Sequence, residues 1–120
     1  MADAGIESPA PGFGVTSQPI ASGTMVTVTG ELDAHTAPQV REMVEAAITP
    51  GAKVAVDLTG VTFLDSTGLG VFVTALKHLR EVDGTLDLVI TSPRVLKVFE
   101  LTGLDVVIPI HEDTSSALGE

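Results

Sequence analysis

Two hydrophobic periods alternate along this chain, and their order limits the fold more than any single motif. Thr24–Gly30 (TMVTVTG) puts Val26 and Val28 on one face and Thr27 and Thr29 on the other, the period-two pattern of a strand in β-branched residues. Lys53–Leu64 (KVAVDLTGVTFL) alternates Val54, Val56 and Leu58, with Ala55 also apolar, as in a strand buried on both faces. Thr85–Ile90 (TLDLVI) repeats the pattern through Leu86, Leu88 and Ile90, and Val106–Ile110 (VVIPI) reads as a last strand, with Pro109 marking an end or an edge. Before them, Phe13–Gln18 is a short, weak strand stopped by Pro19, which suits an edge position in a hairpin closed near Ser22-Gly23.

Helical periods fill the gaps. Val40, Val44, Ala47 and Ile48 share a face, with Arg41, Glu42 and Glu45 turned away. Thr36 and Gln39 match a capping box with Pro38 in the first turn, so Glu31–His35 is a loop and Pro50-Gly51 a stop. Leu69, Phe72, Leu76 and Leu79 form a second stripe, opposite Lys77, His78, Arg80 and Glu81, in a helix from about Ser66 to just before Asp83-Gly84. Ser92-Pro93 opens a third helix, with Val95, Val98, Phe99 and Thr102 inward and Gly103 at its end. His111–Glu120 adds a short helix.

The order β-β-α-β-α-β-α-β-(α) predicts an α/β fold. Strands alternating with helices after an initial hairpin give a largely parallel sheet reached by right-handed crossovers, with most helices on one side. At 120 residues one domain is expected, over 13–120, preceded by a Pro/Gly-rich mobile tail over 1–12.

Composition removes several classes of function. The net charge is −10, from 6 Lys+Arg against 16 Asp+Glu, so the chain repels phosphate backbones and anionic membranes. Neither nucleic acid nor membrane is an expected partner; a protein with a basic patch is. The only aromatics are 4 Phe, too few for base-stacking platforms. With 0 Cys, thiolate catalysis and Cys-ligated metals are excluded. No signal-peptide pattern or membrane-length apolar run occurs, so the expected location is the cytoplasm.

The stretch Phe63–Val73 (FLDSTGLGVFV) places Asp65, Ser66, Thr67 and Gly68 between two apolar segments. Three readings compete. Any of Asp65, Ser66 or Thr67 can simply cap the helix. D-S-T-G is similar to the D-[ST]-G turn of aspartic proteases, but it is interrupted and is followed by a helical stripe rather than a strand. Finally, a serine at a helix N-terminus offers its hydroxyl beside unpaired N–H groups that would receive a phosphate. Serine-hydrolase elbows and phosphate loops are absent around Ser66.

GELD (Gly30–Asp33), VDLTGVTFLDSTGLGVFV (Val56–Val73) and SPRVLKVFELTGL (Ser92–Leu104) together resemble the anti-sigma-factor antagonists of the sulfate-transporter and anti-sigma-factor-antagonist (STAS) domain family, over roughly residues 12 to 112. The resemblance implies a mixed β-sheet of four to five strands with helices mainly on one face. It implies a binding module rather than an enzyme, with no catalytic residue, metal or cofactor. The partner would be an anti-sigma factor that is also a serine kinase of the GHKL ATPase type, and binding would free the sigma factor. Phosphorylation of Ser66 would release the partner, and a serine phosphatase would reset the switch. Asp33, Asp65, Ser66, Thr67 and Gly68 would form the partner surface. Asp33 is then expected to face solvent with no core role, since Thr36 and Gln39 already account for capping. The alternative within the family is a scaffold or regulatory subunit of a stressosome-like or transport assembly.

Overall fold

The computed structural model describes residues 12–119, so the expected tail lies, but for Gly12, outside the described residues. The hairpin strands are β1 (Gly14–Ile20) and β2 (Gly23–Leu32), followed by α1 (Ala37–Ala46), β3 (Lys53–Leu64) and α2 (Ser66–Glu81). Then come β4 (Thr85–Val89), α3 (Pro93–Thr102), α4 (Leu104–Val107), β5 (Ile110–His111) and α5 (Thr114–Ala117). The strands form one five-stranded sheet in sequence order. β1 runs antiparallel to β2, and every later pairing is parallel, so the sheet is mixed.

The layers follow from the side-chain pattern. Val26 and Val28 of β2, Val54, Val56 and Leu58 of β3, and Leu86 and Leu88 of β4 point to one face. There they meet Val40 and Val44 of α1, Val71, Phe72 and Leu79 of α2, and Val95 and Phe99 of α3. The rings of Phe72 and Phe99 lie 6.1 Å apart at 47° and are fully buried, each burial worth about 1.5–3 kcal/mol. On the other face Met25, Ala55 and Val89 pack under Ala117 of α5. Ala55 is thus buried opposite Val54 and Val56, as expected for a strand covered on both sides.

Four local expectations are corrected. β1 does not stop at Pro19; it runs to Ile20, and Pro19 pairs with Thr24 at the sheet edge, where a missing N–H is tolerated. The expected strand over Val106–Ile110 is met only at Ile110, which opens β5. Gly103 ends α3 in the left-handed conformation (φ 77°) and Leu104–Val107 form another helical turn. Pairing resumes only with the carbonyl of Pro109, which accepts from Leu88 N at 3.0 Å, because the proline has no N–H to give. Thr102 is exposed, and its hydroxyl donates back to the Val98 and Phe99 carbonyls at 2.8 and 3.1 Å. In α2 the buried face is Gly68, Val71, Phe72, Ala75 and Leu79, leaving Leu69 and Leu76 of the expected stripe only half-buried.

Candidate functional site

In the parallel β2–β3 ladder Leu32 pairs with Leu64, and both side chains are buried. The next residue in each strand is an aspartate. Asp33 and Asp65 therefore leave the sheet side by side, at the carboxyl edge where open α/β sheets build their sites.

Asp65 caps α2. Its backbone is extended (φ −105°, ψ −174°), and its Oδ1 accepts the Gly68 N–H at 2.9 Å while its carbonyl accepts from Leu69 N at 2.9 Å. Its own N–H donates to the Leu32 carbonyl at 3.2 Å, tying the start of the helix to the end of β2. Ser66 is the first residue of the helix and, like Thr67, is exposed. The N–H groups of these first-turn residues have no partner within the helix. Gly68 is buried, and a Cβ there would lie 2.7 Å from the Leu32 carbonyl oxygen and 2.8 Å from Leu32 Cγ. Glycine is what lets α2 start this close to β2.

The capping box at α1 is not formed. Thr36 stands at the N-cap position without a side-chain cap bond and is 1% exposed. Its hydroxyl instead donates to the Glu31 carbonyl at 2.8 Å and accepts the Asp33 N–H at 3.0 Å, pinning the end of β2. β2 accordingly extends through Leu32, shortening the expected Glu31–His35 loop. Asp33 holds the turn: its Oδ1 accepts the N–H of His35 at 2.9 Å and of Thr36 at 3.2 Å. Asp33 is therefore half-buried and structural as well as edge-facing, not a free surface acid. Its second oxygen accepts no hydrogen bond among the described residues. The residues sequence reasoning missed are Leu32, whose carbonyl organises the start of α2, and Thr36. The one available signal for Thr36 was the Asp33-x-x-Thr36 spacing, which competes with Thr36-x-x-Gln39.

Five residues singled out from the sequence thus share one edge: Asp33 on the β2–α1 turn and Asp65, Ser66, Thr67 and Gly68 on the β3–α2 junction. Among the described residues no group of His, Cys, Asp or Glu side chains could hold a metal ion, and no helix is long and apolar enough to cross a membrane.

The profile of the STAS domain family matches residues 15–117. The chain belongs to the STAS domain family. It is 46% identical over 86 residues to the anti-sigma-B factor antagonist of Listeria monocytogenes, covering 71% of this chain and 75% of that protein. Among solved structures it resembles an anti-sigma factor antagonist from Mycobacterium paratuberculosis, with TM-score 0.83, 26% identity and coverage of 94% of this chain and 97% of that one. It also resembles the phosphorylated form of the Bacillus cell fate determinant SpoIIAA, with TM-score 0.68, 25% identity and coverage of 86% and 96%. The five-stranded mixed sheet with its helices mainly on one face is the STAS architecture that the resemblance implied.

Proposed function

We propose that this STAS domain is an anti-sigma-factor antagonist switched by phosphorylation of Ser66. The observation that carries the reading is the edge itself: an exposed serine hydroxyl, one residue past a capping aspartate, beside a second aspartate fixed by its own turn. The unmodified chain binds an anti-sigma factor that is also a GHKL-type serine kinase and so frees a sigma factor. Ser66 Oγ then attacks the γ-phosphorus of ATP held by that kinase. The new P–O bond forms as the bond to the ADP oxygen breaks, and the hydroxyl proton passes to a base of the kinase.

The product releases the partner for an electrostatic reason. A phosphoserine adds about −1.5 to −2 charge beside Asp33 and Asp65, at the centre of an interface that must be desolvated. Within the free chain the same phosphate is tolerated, because the unpaired N–H groups at the start of α2 face it. Each 1.4 kcal/mol is about tenfold in affinity, so a modest repulsion separates a micromolar complex. A serine phosphatase restores the hydroxyl. The chain acts in the cytoplasm as substrate and binding module rather than catalyst, and binds neither nucleic acid nor membrane. Its retained, exposed Ser66 favours this role over that of a scaffold subunit.

Incubation with the anti-sigma kinase of the same genome and ATP, followed by intact-mass and fragment-ion analysis, tests the proposal. One phosphoryl group on Ser66 is expected; phosphate on Thr67 alone, or none, contradicts it.

A further inference from the structure

β3 outruns the strand beside it. It pairs with β2 as far as Leu64, but with β4 only from Lys53–Thr85 to Asp57–Val89. Among the described residues, Thr59–Leu64 therefore has β2 on one side and no strand on the other. The Thr59 N–H turns back to Asp57 Oδ1 at 2.9 Å, and no other backbone group of this stretch meets a turn, a loop or a side chain among those residues. Thr59, Gly60, Thr62 and Phe63 are all exposed, and Thr59–Leu64 carries neither charge nor proline. It has none of the charges or prolines with which sheets usually blunt an open edge.

The side chains here are equally unusual. Phe63 is 41% exposed, whereas Phe72 and Phe99 are fully buried. Phe63 pairs with Glu31 in the β2–β3 ladder, and the next pair, Leu32 and Leu64, points into the helix-side core. Phe63 and Glu31 therefore point to the opposite face of the sheet. Asp57 shares that face, since its ladder partner Val89 packs there with Met25 and Ala55. An open run of main-chain groups thus lies beside an exposed ring, with an acid at either end.

We infer that the Thr59–Leu64 edge of β3 receives an extended segment of the anti-sigma kinase as an added strand, with an apolar side chain against Phe63 and basic side chains against Glu31 and Asp57. The inference rests on the reading of this chain as an anti-sigma-factor antagonist. Main-chain hydrogen bonds would supply affinity and the ring would supply register. Two observations choose this occupant. Phe63 lies three residues before Ser66, at most about 11 Å away, and a standard interface covers about 800 Å² of each partner, so a protein docked at Ser66 reaches the edge as well. Charge then excludes a second copy of the chain. Antiparallel pairing of two copies about Val61 would set Asp57 of one opposite Asp65 of the other, a like-charge contact, whereas a segment bearing Lys or Arg finds acids at both ends of an uncharged strip.

Amide hydrogen exchange of the full chain, alone and with the anti-sigma kinase of the same genome, tests this beside calorimetric titration of variants. Exchange at Thr59–Phe63 should slow about tenfold or more in the complex. Phe63→Ala and Glu31→Lys should each weaken binding about tenfold, with melting curves confirming that the variants are folded. Failure of the unmodified chain to bind the kinase would overturn the antagonist reading and this inference together. Binding with unchanged exchange at Thr59–Phe63, or Phe63→Ala and Glu31→Lys chains that bind like the unmodified one, would overturn the added strand and leave the antagonist reading standing. Protection of the same residues that rises with chain concentration in the absence of kinase would assign the edge to a second copy and also overturn it.

Discussion

The N–H of Asp65 donates to the carbonyl of Leu32 at 3.2 Å, so the residue that caps α2 is held by the last residue of β2. The same carbonyl oxygen lies 2.7 Å from where a Cβ on Gly68 would be. Leu32 therefore sets the position of Ser66 from beneath, through a hydrogen bond on one side of the junction and a steric limit on the other.

That limit is testable with a pair of glycines in one helix. Gly68→Ala must displace α2 or β2 and should cost about 1–3 kcal/mol, as overpacking does. Gly70→Ala meets nothing within 4 Å, so it should stabilise the chain by about 0.5–1 kcal/mol through helix propensity alone. Urea melts of both variants check the contrast.

Thr36→Val keeps the shape of a buried side chain and removes its hydroxyl. The Glu31 carbonyl and the Asp33 N–H then lose their partner at the end of β2. A loss of about 1–3 kcal/mol is expected in thermal or urea melts, the cost of unsatisfied buried polar groups.

Asp33 separates charge from turn geometry. Asp33→Asn retains the Oδ1 acceptor for His35 and Thr36, so stability should change by no more than about 0.5 kcal/mol. Asp33→Ala removes that acceptor and should cost about 1 kcal/mol. Calorimetric titration against the anti-sigma kinase should show about tenfold weaker binding for Asp33→Asn. Unchanged binding by Asp33→Asn would leave Asp33 a structural residue only.

How much of this was legible in the sequence depended on which interactions were local. That one of Asp65, Ser66 and Thr67 caps a helix starting near Ser66 could be read because such a bond closes within one turn, whereas the choice of Asp65 among the three came only with the structure. The stripes containing Phe72 and Phe99 could be read because helical period survives packing. The role of Thr36 could not, because its hydroxyl is claimed by Glu31, upstream in the strand, rather than by the helix it precedes. Val106 and Val107 have strong strand propensity, yet Gly103 turns the chain into another helical turn and pairing waits for Pro109. The Leu32–Leu64 pairing joins residues far apart in the chain, and only the fold sets its register.

Substitutions at Ser66 should act on binding and leave the fold alone, since the side chain is exposed at the first helical position. Ser66→Ala should hold the partner at every ATP concentration. Ser66→Asp should weaken binding, though less than phosphate does, because a carboxylate brings one charge rather than nearly two. Melting curves alongside pull-down assays distinguish loss of binding from loss of fold.

The central claim is that charge at Ser66 decides whether the partner stays bound, and calorimetric titration of the anti-sigma kinase with the unmodified and the Ser66-phosphorylated chain measures it directly. The account predicts at least about tenfold weaker binding for the phosphorylated chain, equivalent to about 1.4 kcal/mol or more. Equal affinities for the two forms would contradict it.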